Sequence, residues 1–289
     1  RVLHVPILLP RLDRDWRGKW GHETAWLEFG LRSEVDIAEF LQTLFDNNPG
    51  ADDLDEPLAA AFARDVLSQD VARRAMDLVI AANIARPGSV LLPKLRQFGE
   101  DRLIRESPGC LNYFAETVDT IDELRWPTLS VHRIDSVLRW MDRVPGYIEG
   151  VPSGPSGVAM SALSELCATV QPSSPSASLM WAMVGIEALY AEGTDGLKRQ
   201  IMAKTELTLG PRLDNKKRFN RLYDVRSRFV HGDIPFPLSY ATDDVYTGNT
   251  AHEDLAEASH IAQANLLASL QRLIELNRYD FEFGYTLLA

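Results

Sequence analysis

The stretch Leu222-Tyr-Asp-Val-Arg226-Ser-Arg-Phe-Val-His231-Gly232 sets an arginine and a histidine with four residues between them, and RNA cleavage without a metal can use both. An imidazole titrates near neutrality and can exchange a proton with a hydroxyl, while a guanidinium is a fixed cation whose donors match phosphate oxygens. Neither group needs a metal to do this work.

A helix must position them. On a 3.6-residue period Phe219, Leu222, Tyr223, Phe229 and Val230 fall on one face, and Arg226 stands in the middle of that face where a leucine is expected. Gly232 is placed to be the residue that ends the helix, and Pro235 blocks its continuation, so His231 belongs to the last turn. Five residues along an ideal helix turn through about 140°, so Arg226 and His231 do not converge on one phosphate within a single helix. A second copy of the chain would resolve that. A buried guanidinium is costly unless it is paired. The segment Leu179 to Ala191 carries one charge, Glu187, on a helix that is apolar all round and therefore expected in the middle of a bundle. The spacing predicts that Glu187 pairs with Arg226.

The order of these pieces, Trp181-Ala-Met-Val-Gly-Ile-Glu187-Ala-Leu-Tyr190, a basic helix, then the run from Leu222 to Gly232, resembles the Apea-like branch of the HEPN superfamily over roughly residues 158–280. The resemblance implies a helical bundle that dimerises and brings two copies of the Arg-x4-His motif into one cleft. It implies a metal-independent endoribonuclease of a defence, toxin or stress-response system, with Arg226 and His231 catalytic, Glu187 supporting them and Ser227 a lesser contributor. On that reading His231 exchanges a proton as the ribose 2′-hydroxyl attacks the adjacent phosphate, Arg226 stabilises the anionic phosphate, and the product ends in a 2′,3′-cyclic phosphate. Some toxins of the superfamily carry a tyrosine two positions after the histidine that a partner enzyme modifies, whereas here Asp233 holds that place. The alternative reading is a catalytically inactive RNA-binding or dimerisation module, with Arg226 and Glu187 a buried pair and His231 a helix cap.

Charge qualifies the partner. The net charge of -11 argues against a surface that embraces nucleic acid everywhere. Yet Lys198 to Arg228 holds ten basic residues against three acidic ones, a local +7 that leaves -18 for the remainder. Lys216, Lys217, Arg218, Arg221 and Arg228 are accordingly the RNA-binding candidates, with a solvated helical face as the plain alternative. Tyr190 and Tyr223 read as core aromatics with a hydroxyl at the rim, and Trp126, Trp140 and Trp181 as packing residues. No cofactor or metal is expected. The histidines lack ligand spacing, Cys110 and Cys167 are unclustered, no Gly-x-Ser-x-Gly elbow occurs, and Ser153-Gly-Pro-Ser-Gly157 lacks the lysine of a phosphate loop.

The fold class read from the sequence is mainly α. Thr24 to Leu31 alternates loosely enough to permit a short strand. Helices are expected at 33–45, 57–84, 91–106, 110–125 and 134–143, with an acidic loop at 48–56. The crowding of glycine, proline and serine at 150–157 reads as a linker, dividing a mostly helical amino-terminal region, 1–156, from an Apea-like HEPN domain, 157–289. Helices at 158–170, 178–192, 197–209, 215–231 and 253–278 then form the carboxy-terminal bundle, with a turn-rich connection over 232–251. The amino-terminal region is assigned a sensing, regulatory or partner-binding role. No apolar run reaches the roughly 20 residues of a membrane span, no secretion signal opens the chain, and a reducing cytoplasm is the expected location.

Overall fold

The computed structural model describes residues 2–10, 22–30, 56–90, 92–99, 102–110, 114–168, 175–193, 195–212, 216–234 and 250–284. The helix expected at 33–45, nearly all of the loop at 48–56, and residues 235–249 of the turn-rich connection with Pro235 lie outside them. The fold is mainly α, and two compact units share the chain.

The first unit comprises residues 1–79 and 92–109. Strand β1 (Val2–Pro10) pairs antiparallel with β2 (His22–Gly30), with Val2 opposite Gly30 and Pro10 opposite His22. The short strand expected at 24–31 is therefore real and longer. Helix α1 (Glu56–Ala85) follows, with Pro57 in its first turn, where a missing amide costs nothing. The helix expected at 91–106 is a correction: β3 (Leu92–Gly99) and β4 (Arg102–Cys110) form a second two-stranded sheet. Gly99 inside the expected helix disfavours it, and the same glycine lies just before a two-residue gap of hairpin spacing.

The second unit comprises residues 80–91 and 110–289. It contains α2 (Ala115–Leu124), α3 (Ile134–Met141), α4 (Gly154–Ala168), α5 (Pro175–Tyr190), α6 (Leu197–Leu209), α7 (Lys216–Val230) and α8 (Thr250–Leu276). Residues 150–157, where the sequence places a division, lie inside this unit. Ser153 N donates to Pro145 O at 2.8 Å and Val151 N to Gly146 O at 2.9 Å, so the stretch folds on itself as a tight turn. Gly154 then opens α4 with Pro155 in its first turn, and Ser156 and Gly157 are buried. A side chain at Gly157 would come within 2.8 Å of the Pro152 carbonyl carbon, which is why glycine stands there.

Helix α8 is the spine of this unit, touching α2 through α7 by one face or another. Residues 261–271 are buried without interruption, and each polar side chain among them makes at least one hydrogen bond, although Asn265 Oδ1 has no partner among the described residues. Gln263 accepts from Thr117 of α2 at 3.0 Å, Ser269 meets the Tyr190 hydroxyl at 2.8 Å, and Gln271 donates to Ile84 O at 2.7 Å and Ser130 O at 2.8 Å. Such internal bonds are what make polar side chains tolerable in a core. Gly185 lets α5 approach closely, since a side chain there would meet Leu266 of α8 at 2.7 Å and Ala162 of α4 at 3.4 Å. Beyond α8 the chain alternates with period two. Tyr279 stacks on Trp140, centroids 5.8 Å apart, and Phe281 on Tyr190 at 5.3 Å, while Asp280 and Glu282 face solvent.

Candidate functional site

Helix α7 carries the motif and divides it between two faces. Phe219, Leu222, Tyr223 and Val225 are buried against the bundle, and Arg226 lies on that side. Its Nη2 donates to Glu187 Oε1 of α5 at 3.0 Å, with 31% of the arginine and 25% of the glutamate side chain exposed. The expected pair is formed, partly open to solvent rather than sealed. The stripe departs from expectation in detail, because Val225 joins the core while Val230 is 49% exposed.

Tyr223 lies beside this pair. Among the described residues its hydroxyl has no hydrogen-bond partner, and neither does Arg226 Nε. Burial first, then the Glu187 carboxylate, pushes the Tyr223 phenol far above its usual range, with Arg212 and Arg226 pulling weakly the other way. The ring is therefore a neutral donor next to a salt bridge. Tyr190 is a core aromatic as expected, its hydroxyl buried on Ser269 and its pKa pushed up to about 12 by desolvation.

His231 ends the helix. Gly232, at φ 77°, takes the left-handed conformation, its amide donates to Phe229 O at 3.1 Å, and the Asp233 amide reaches back to Arg228 O at 2.7 Å. These are the two bonds of a Schellman cap, with Gly232 in the position predicted for it. The cap leaves His231 exposed at the helix end, beside the partial negative charge of the last carbonyls. Ser227 is also exposed, and its carbonyl accepts the His231 amide at 3.0 Å. Within one chain the structure brings Arg226 and Glu187 together but not Arg226 and His231, which leave the helix on different sides.

The basic patch is smaller than its residue count. Lys204 and Arg212 are buried. Lys204 donates to Glu192 at 2.6 Å and lies 4.7 Å from the Phe283 ring. Arg212 donates to Thr205 Oγ1 at 2.5 Å and to Met202 O, and its guanidinium lies 4.3 Å from the Phe219 ring and 5.3 Å from the Trp126 ring. The period of Ile201, Lys204, Thr205 and Thr208 on α6 is the signal that could have placed Lys204 inward.

The five RNA-binding candidates are all exposed, yet three are engaged. Arg218 bridges Glu123 at 3.1 Å and Glu257 at 3.3 Å, Arg221 holds Asp254 at 2.5 Å, and Lys216 is 3.8 Å from Glu206. Lys217 and Arg228, like Arg199 of α6, take part in no ion pair among the described residues. Arg218 and Arg221 thus tie α7 to α2 and α8. Nearby, His260 sits between Glu116 at 3.2 Å and the Thr120 hydroxyl at 3.2 Å, and this contact holds the Glu116 carboxyl below its usual range.

No protein-family model matches this chain. No curated protein and no solved structure matches it either.

Helix α5 shows one further departure from its all-apolar sequence. Trp181 and Val184 are each 37% exposed on the turns before Glu187, so the helix presents an apolar face to solvent instead of lying wholly inside the bundle. Trp126 and Trp140, by contrast, are core residues whose indole nitrogens donate to Gly210 O at 3.1 Å and Arg278 O at 2.8 Å. No helix among the described residues is long and apolar enough to cross a membrane.

Proposed function

We propose that the second unit is an Apea-like HEPN domain acting as a metal-independent endoribonuclease in the cytoplasm, in a defence, toxin or stress-response system. The observation that supports this best is the state of the motif. His231 stands open at a capped helix end, and Arg226 is held by a single carboxylate at 3.0 Å with a third of its side chain still exposed. A purely structural histidine would be buried with its nitrogens satisfied by protein.

In the reaction the 2′-oxygen of one ribose attacks the adjacent phosphorus as His231 of one protomer moves the proton. The bond from phosphorus to the 5′-oxygen breaks, that oxygen takes a proton, and the upstream fragment ends in a 2′,3′-cyclic phosphate. Arg226 of a second protomer neutralises charge on the phosphate oxygens, and Glu187 fixes the guanidinium plane. The exposed apolar residues Trp181, Val184 and Val230 flank the Glu187–Arg226 pair and offer the second protomer a surface to cover. The first unit carries the regulatory or partner-binding role.

The test is cleavage of total or transfer RNA in chelator by wild type, Arg226→Ala and His231→Ala, with the fragment ends analysed. Cyclic phosphate ends that need both residues support the reading. RNA binding without cutting, retained in both variants, would favour the inactive module.

A further inference from the structure

We propose that the cleft between the start of α6 and the solvent face of α7 binds an unpaired nucleotide, making the substrate strand single-stranded where it crosses the protein. This rests on the RNA-cleaving reading and extends it to the form of the RNA. The cleft has a volume of about 540 Å³ and is lined by Gly196, Leu197, Lys198, Arg199, Met202 and Asn220. It is a shallow surface depression open to solvent rather than an enclosed cavity, and so suits one face of a base.

Its exposed lining is almost wholly apolar. Leu197 and Met202 supply an apolar floor for the face of a base, and Asn220 supplies an amide with both donor and acceptor for a base edge. Met202 is held in place from behind, because Arg212 donates to its carbonyl oxygen and reaches its sulfur at 3.6 Å. Arg199 has no carboxylate partner among the described residues and suits a phosphate. Lys198 holds Asp224 at 2.7 Å, which masks the one carboxylate on this side of α7 that would repel a phosphate backbone.

The cleft is also continuous with the motif. On a 3.6-residue period, Lys217, Asn220, Asp224, Arg228 and His231 fall within about 80° of the surface of α7 and its cap, and all five are exposed. Asn220 precedes His231 by about 16 Å of helix rise. A strand laid along this stripe reaches His231 at one end and the cleft at the other. A duplex could not use the cleft, since its bases are stacked and paired inside the helix.

The test uses a fluorescent 2′-O-methyl oligoribonucleotide, which the protein cannot cut, as a single strand and as a duplex, with anisotropy read across a salt series. Wild type is expected to bind the single strand more tightly than the duplex. Asn220→Ala and Arg199→Gln should each weaken single-strand binding about five- to tenfold, and only Arg199→Gln should lower the slope of log Kd against log salt, by about 0.7. Asp224→Asn should tighten binding about threefold. If both cleft variants bind as wild type does while wild type still cleaves natural RNA, the cleft proposal falls and the nuclease reading stands. A preference for duplex also overturns the cleft. Wild type that neither binds nor cuts RNA overturns both.

Discussion

Arg212 and Arg226 come from one basic stretch, and the structure uses them in opposite ways. Arg212 is 1% exposed, bonded to Met202 O and Thr205, and set against the rings of Phe219 and Trp126. Arg226 has one carboxylate partner and 31% exposure. The first guanidinium is consumed by the fold and the second is left partly open. The same division runs through the neighbouring cations: Arg218 and Arg221 tie helices together, while Arg199, Lys217 and Arg228 on the α6–α7 side are unpaired among the described residues. A charge count therefore says little about a binding surface until the partner of each cation is known.

If this division is right, variants should separate by what they break. The largest effect is on rate: His231→Ala should lower RNA cleavage about 10²–10⁴-fold, the range of a lost general acid or base, with the thermal midpoint unchanged. Arg212→Ala should do the reverse, lowering stability in a urea titration by about 3 kcal/mol through lost charged hydrogen bonds and ring contacts. A stable Arg212→Ala protein would erase the contrast between the two arginines.

Gly232→Ala sharpens the comparison at the helix end. Among the described residues nothing lies within 4 Å of the added carbon, so the left-handed backbone is the source of strain, and a loss of about 1 kcal/mol in thermal unfolding is expected. The smallest effect concerns the ionic edge between α2 and α8. The His260 contact lowers the Glu116 pKa from about 4.5, so the stability it contributes is present above that value and fades as pH falls through the folded value. Glu116→Gln should therefore lower the urea midpoint slightly at pH 6, and the difference from wild type should shrink as the pH is taken below 4.5. The effect is small because the carboxylate is 81% exposed.

The sequence made the bundle legible because amphipathic period and glycine caps are local signals. The bounds of α6 and the cap at Gly232 agree with it residue for residue. The Glu187–Arg226 pair was legible for a different reason: each charge stood alone on an apolar stripe and needed a partner. The β3–β4 pair is hidden in the sequence because Leu92, Leu95 and Phe98 mimic a helical spacing, with Gly99 the local signal against it. The turn at 150–157 has a composition that suits a linker, whereas the amides of Val151 and Ser153 close on the carbonyls of Gly146 and Pro145. Which cations face carboxylates, and which side of α5 stays open, depend on neighbours distant in sequence, and no local pattern records them.

The central claim is that Arg226 and His231 act across two protomers, and complementation tests it most directly. Arg226→Ala and His231→Ala chains, each inactive alone, are unfolded together, refolded and assayed for RNA cleavage. Random pairing makes half the dimers mixed, each with one complete and one doubly defective site, so about a quarter of wild-type activity should return. A mixture as inactive as either variant alone would contradict the shared site.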